Sequence, residues 1–183
     1  MILLVDLCFE KNSLSKYEFV LPIEDTLKHA GAKCDILHYT EICNDKLERC
    51  DKIILCGTAL KNNAFAMNLK SFSWINGFAK PILGICAGMQ VIAYVYGGSI
   101  IASKSIGLET IEIIRETYLF GVPRKIEGYH LHSCGVTLPR EFELLAGTKN
   151  KAEAFKHHSQ PIYGIIFHPE VRNKWILERF IKI

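Results

Sequence analysis

The sequence runs to 183 residues, enough for one domain over 1–183 with a sizeable core and short for two. Apolar residues make up 49% and charged residues 22%, a globular balance that excludes a disordered or fibrous chain. The net charge of +3 is spread among mixed signs, which gives no electrostatic case for nucleic acid or a membrane surface.

The seven cysteines form no CxxC pair, and several lie inside apolar runs, as Cys56 does after Ile53-Ile54-Leu55. That pattern fits buried thiols in a reducing compartment rather than a disulfide framework. Met1 to Asp6 is apolar but too short for a secretory leader, and no stretch is long enough to span a bilayer. A cytoplasmic protein is the expectation.

In chain order, residues 1–6 read as a buried strand. Residues 17–30, with Tyr17, Val20, Leu21, Ile23 and Leu27 at helical spacing, read as one amphipathic helix ending at Gly31. Strands are expected at 33–38 and 52–56, then a partly helical stretch over 61–78. A fourth strand covers 81–85, followed by a helix from Ala87 to Tyr96 closed by Gly97-Gly98. This alternation predicts an α/β fold: an open, mostly parallel sheet flanked by helices. From residue 99 the texture changes to short strands joined by turns, at 111–114, 128–131, 136–138 and 143–146, which reads as a β-rich late insertion. A buried strand at 161–167 and a helix over 173–183 close the chain.

Two segments carry chemistry. Gly84-Ile85-Cys86-Ala87-Gly88 is a Gly-x-Cys-x-Gly turn between a strand and a helix. Such a turn holds a nucleophile in a strained pose at the carboxyl edge of a sheet, with glycines where side chains would collide. The helix N-terminus favours an anionic sulfur. The second segment is Phe167-His168-Pro169-Glu170, just past a strand. A cysteine nucleophile needs a base, and the base needs an orienting group. His168 can carry the proton, and Glu170 can reach back to its other nitrogen once Pro169 stiffens the turn.

Together these segments, with Gln90 and Pro161-Ile162-Tyr163-Gly164, resemble the class I glutamine amidotransferases over nearly the whole chain. The resemblance implies a flavodoxin-like architecture and a Cys86–His168–Glu170 triad. That triad would hydrolyse L-glutamine to glutamate and ammonia through a γ-glutamyl thioester. It also implies an oxyanion hole from the amides of Gly57 or Thr58 and of Ala87, with Cys56-Gly57-Thr58-Ala59 replacing the family's usual Ser-Gly-Gly-Pro. Gln90 and the His132-Ser133 pair would bind the amino-acid end of glutamine.

No cofactor is expected. His130 and His132 fall on one face of a strand, but the sequence offers no convincing second ligand pair, so no metal site is assigned. His157-His158 reads as a solvated turn. In the family the ammonia passes to an ATP-dependent synthetase, here implied as a separate subunit because no phosphate-binding loop is found. Phe-His-Pro-Glu-Val resembles the GMP synthase branch. However, Asp6-Leu7-Cys8 does not match that branch's Asp-Asn-Gly-Gly-Gln start or the Asp-Asn-Tyr-Asp-Ser of the anthranilate branch, and Ile166 replaces the usual Gln. A divergent member is expected. The alternatives are a stand-alone γ-glutamyl hydrolase or peptidase and a non-catalytic regulatory homologue.

Overall fold

The computed structural model describes residues 1–183. Its strands are β1 (Ile2–Asp6), β2 (Cys34–His38), β3 (Lys52–Leu55), β4 (Ile82–Ile85), β5 (Ile100–Ile113), β6 (Arg124–Val136), β7 (Phe142–Gly147), β8 (Ala152–His157) and β9 (Ile162–Ile165). The helices are α1 (Leu14–Phe19), α2 (Leu21–His29), α3 (Asn44–Arg49), α4 (Ala64–Met67), α5 (Ala87–Val95) and α6 (Lys174–Phe180), with 3₁₀ segments at Tyr39–Glu41 and Leu69–Gly77. None is long and apolar enough to cross a membrane.

All nine strands join one sheet in the order β2-β1-β3-β4-β9-β8-β6-β5, with β7 paired to β8. The five from β2 to β9 run parallel, and the remainder pair antiparallel. The parallel strands are apolar at nearly every position because helices cover both their faces. Leu4, Ile54, Leu83 and Tyr163 stand side by side in register. They share one core with Val20, Ile23 and Leu27 from the α1–α2 segment and Ile176, Leu177 and Phe180 of α6. Leu3, Val5, Ile53 and Ile82 face the other way, into a core with Met89, Ile92 and Ala93 of α5.

Three expectations change. The single helix over 17–30 is two, α1 and α2, meeting at Val20. Pro22 explains the break: it has no N–H and fits only the first turn of a new helix. Val20, Ile23 and Leu27 are fully buried as their spacing suggests, but Tyr17 is exposed. The short strands expected at 111–114, 128–131 and 136–138 are instead parts of one long ribbon, with β5 of 14 residues against β6 of 13, while the one at 143–146 is the separate strand β7. The ribbon's apolar/polar alternation is weak because much of it lies outside the cores, so backbone pairing rather than burial carries it. Finally, His157 is not a solvated turn residue. It ends β8, is buried, and its Nδ1 accepts the amide N–H groups of Ser159 and Gln160 at 3.1 and 3.0 Å; His158 is the exposed one.

The N-terminal turn of α5 lies unusually close to the sheet. A Cβ at Gly88 would sit 2.2 Å from Leu55 O, one at Gly84 would meet the Gly88 carbonyl at 2.6 Å, and one at Gly164 would press Met89 Cγ at 2.8 Å. Gly88→Ala is therefore expected to cost about 3 kcal/mol of stability or more in a urea titration, because Leu55 O is fixed in the β3 ladder. Gly77→Ala is the control: nothing lies within 4 Å of its added Cβ, so the midpoint should stay within about 0.5 kcal/mol of wild type.

Candidate active site

The β4–α5 junction places Cys86 at φ +51° and ψ −102°, a left-handed backbone that costs a non-glycine residue about 1–3 kcal/mol. The surroundings hold it there. Cys86 N–H donates to Ile165 O of β9 at 2.8 Å, and Gln90 N–H to Cys86 O at 3.1 Å. The glycine contacts pin the turn from the α5 side. The thiol thus stands at the carboxyl edge of the parallel sheet, the edge where open α/β sheets bind ligands.

His168 and Glu170 follow β9, the strand beside β4, so the sheet itself brings them to Cys86. His168 N–H donates to Tyr129 O of β6 at 2.8 Å, and its Nδ1–H donates to Glu170 Oε1 at 2.7 Å. Both side chains are buried to within 1%. A carboxylate only accepts, so Nδ1 keeps its proton and Nε2 is the nitrogen free to exchange one. Nε2 has no hydrogen-bond partner, while Cys86 Sγ turns toward Leu131 O at 3.7 Å. Burial alone would lower the imidazole pKa, but the Cys86 thiol and the Glu170 carboxylate beside the ring outweigh it and hold the group up to about 10.

Gly57, two residues past β3, packs on the same ring: a Cβ there would come within 2.7 Å of His168 Cε1 and 3.6 Å of Cys86 Cβ. Thr58 is buried next to it. The amides of Gly57 and Thr58 donate to no backbone carbonyl, and that of Ala87 is in the first turn of α5, where N–H groups lack intrahelical partners. Donors of this kind around a sulfur can receive a developing oxyanion.

A narrow cleft opens over Cys86 and Ala87, between Thr58 and Ala59 on one side and Leu131 to Cys134 on the other, with Gln90 also lining it. Gln90 Nε2–H donates to Cys134 O at 3.1 Å. The His132-Ser133 pair divides across β6. His132 is turned inward and Ser133 is exposed, as strand alternation requires.

The His132 ring is also fully engaged. Nδ1–H donates to Ser103 O at 2.8 Å, which leaves Nε2 to accept from His130 Nδ1 at 3.1 Å. Burial pushes His130 down to about 4 and lowers His132 too, so both rings are neutral near pH 7. They do lie on one face, but no third His, Cys, Asp or Glu joins them in a metal-holding group. Toward the cleft this segment offers its backbone and the Ser133 hydroxyl.

Sequence reasoning missed the groups that act through backbone atoms, Leu131 O, Tyr129 O and Cys134 O, because a carbonyl has no side-chain signature. It also missed Asn62, whose amide holds Thr58.

The class-I glutamine amidotransferase model matches residues 16–180. The chain belongs to that family. It is 36% identical over 176 residues to the glutamine-hydrolyzing GMP synthase subunit of Pyrococcus furiosus, covering 91% of this chain and 93% of the relative. The Pyrococcus abyssi protein of the same name is 35% identical over the same length. Among solved structures, a candidate GMP synthase subunit from Thermoplasma acidophilum superposes with a TM-score of 0.84 at 27% identity, over 99% of this chain and 92% of its own. A glutamine amidotransferase from Thermotoga maritima, at 22% identity and a TM-score of 0.72 over 99% of this chain and 80% of its own, shares the fold. As a class-I family member the chain is a glutamine amidotransferase enzyme.

The raised imidazole pKa has a consequence for stability. A histidine near 6.5 when unfolded and about 10 when folded contributes stability that is fully present below pH ~6.5 and is lost as pH rises through ~10. The thermal midpoint should therefore fall from pH 6.5 to 10, and His168→Gln should flatten that fall. An unchanged slope in the variant would place the proton elsewhere.

Proposed function

We propose that this chain is the glutamine-hydrolysing subunit of a two-subunit amidotransferase of the GMP synthase type. The observation that carries this reading is the convergence of Cys86, His168 and Glu170 at one sheet edge in a chain of this family. The relatives named as glutamine-hydrolyzing GMP synthase subunits support the choice of partner, a separate ATP-dependent synthetase that accepts the ammonia. Residues 1–183 act as one glutaminase unit in the cytoplasm.

In this mechanism the Cys86 thiolate attacks the side-chain amide carbon of L-glutamine. The amides of Gly57 or Thr58 and of Ala87 hold the oxyanion, each donor contributing about 3 kcal/mol to the barrier reduction. His168 passes the proton through Nε2 to the departing ammonia, leaving a γ-glutamyl thioester on Sγ. Water that gives its proton to the same nitrogen then releases glutamate. Glu170 keeps the ring oriented and balances the imidazolium. Gln90 and the Ser133–Cys134 segment bind the amino-acid end of the substrate, with His132 supporting that segment from behind.

Four other thiols are held protonated. Burial, with Asp6 beside it, pushes Cys8 up to about 12; burial raises Cys56 well above its ordinary value and raises Cys34 and Cys50 as well. A glutamine-mimicking electrophile at substoichiometric dose should therefore label Cys86, with glutamine protecting it. Peptide mapping reads the outcome, and label spread over Cys43 and Cys134 without protection by glutamine would sink the assignment.

The two partners of Cys86 should differ in severity. His168→Ala should lower glutamate release by roughly 10²–10⁴-fold, and Glu170→Ala by less, since it removes orientation rather than the proton carrier. Unchanged turnover in Glu170→Ala would reduce the triad to a dyad.

Ammonia released with no acceptor waiting is wasted, so the site is expected to wait for its synthetase. Adding that synthetase should raise glutamate release more than tenfold, or about 1.4 kcal/mol of barrier. Cys86→Ala should spare amination driven by free ammonium. High turnover of the isolated chain, unaffected by any synthetase, would favour a stand-alone γ-glutamyl hydrolase.

A further inference from the structure

The turn that carries Gly57 and Thr58 is tied from outside by Asn62. Asn62 spends both hydrogens of its amide: Nδ2 donates to Thr58 Oγ1 at 2.6 Å and to Leu7 O at 3.3 Å. Its Oδ1 accepts the Ala64 N–H at 3.2 Å, at the start of α4, and its own N–H donates to Ala59 O at 2.9 Å, closing the turn. The amide thus ties together three segments: the exit of β1, the turn after β3, and α4.

The exit of β1 is itself a fixed anchor. Cys8 N–H donates to Asp6 Oδ1 at 2.8 Å, and Cys8 O accepts from His38 Nε2 at 3.0 Å. Asp6 and His38 are both buried. Thr58 is buried and β-branched, so its side chain has few alternative rotamers, and a tether on its hydroxyl constrains its backbone as well. On the other side the turn is stopped by the His168 ring against Gly57. The Gly57–Thr58 peptide is therefore held on one side by a hydrogen bond and on the other by a van der Waals stop.

We propose that Asn62 is a positioning residue for glutamine hydrolysis: by holding Thr58 Oγ1 it aims the amide groups of the Gly57–Thr58 turn at the oxyanion formed on Cys86. This rests on the reading of the site as a glutaminase. The physical motive is that oxyanion donors work only within a few tenths of an ångström of the developing charge, and a misplacement of about 1 Å can cost 10²-fold in rate. A glycine at position 58 would be free to turn; a threonine there is useful only if its hydroxyl is secured, and Asn62 secures it. The contact is made before substrate arrives, so its loss should weaken the transition state more than substrate binding.

The test compares Thr58→Val, which keeps the shape and removes the hydroxyl, with Asn62→Ala, their double variant, and Thr58→Ser. Each is made in the full chain, checked for folding by circular dichroism, and assayed for glutamate release with a GMP-synthase-type synthetase present. Thr58→Val and Asn62→Ala should each lower kcat at least tenfold with KM within about twofold. The double variant should be no worse than the more severe single change, because the two groups act as one unit. Thr58→Ser should recover at least half of the rate lost in Thr58→Val. Amide hydrogen exchange at position 62, whose N–H donates to Ala59 O and closes the turn, needs no turnover and should quicken at least tenfold in both single variants.

Wild-type kcat in Thr58→Val, losses that multiply in the double variant, a rise in KM with kcat intact, or unchanged exchange would each overturn the proposal. A wild-type chain that releases no glutamate under any condition overturns the glutaminase reading and this proposal with it. An active wild type beside an unaffected Thr58→Val overturns this proposal alone.

Discussion

The close seating of α5 on the sheet is the constraint on which the rest depends. A helix packed through ordinary side chains stands about 10 Å from a sheet, and its first residue could not also end a strand in a tight reversal. Here Gly88 lies against Leu55 O, and Gly84 and Gly164, neighbours in register, make room for that turn. The reversal leaves Cys86 at a positive φ, and the hydrogen bond from its N–H to Ile165 O ties the strained residue to the strand that delivers His168. Core packing and site geometry are thus set by the same contacts.

The parts of this molecule differ in how openly the sequence declares them. The strands from β1 to β9 that lie in the parallel half are legible because burial on both faces demands unbroken apolar runs, and the glycines of the elbow are legible because each one marks a collision avoided. His168 and Glu170 could be paired from spacing alone, since Pro169 leaves few paths between them. The β5–β6 ribbon was legible only as fragments: residues such as Ser103, Lys104 and Gly107 face solvent or the ribbon's own partner, and backbone pairing writes no pattern in side chains. β8 was missed for a related reason, since Ala152 and Ala154 are buried without being strong strand formers. Asn62 was invisible because one asparagine in a polar loop is indistinguishable from its neighbours Asn63 and Lys61 until the fold shows what it reaches.

The histidines show how burial separates similar residues. His168, His130 and His132 are all almost fully enclosed, yet the first is pushed up by a thiol and a carboxylate while the other two are pushed down by an enclosure that the Glu109 carboxylate does not offset. One is suited to carrying a proton during a reaction. The other two, locked in a single tautomeric order by Ser103 O, behave as neutral struts that keep the inner face of β6 filled.

The way the ribbon joins the sheet has a consequence for how this enzyme would fail on warming. Between β6 and β8 the ladder has a single register pair, Val136 with Ala152, and further along β6 the amide of His168 clips onto Tyr129 O. The Cys86 elbow, by contrast, is embedded between strands paired along their length. A wall joined by side-chain packing and scattered backbone bonds, Ile114 N–H on Leu145 O and Leu138 N–H on Lys149 O among them, rather than by a continuous ladder opens at lower free energy than the layer it leans on. Loosening it would carry away Leu131 and the Ser133–Cys134 segment while Cys86 stayed in place, so the cleft would lose one wall at temperatures where the parallel sheet, and most spectroscopic signs of folding, were still intact.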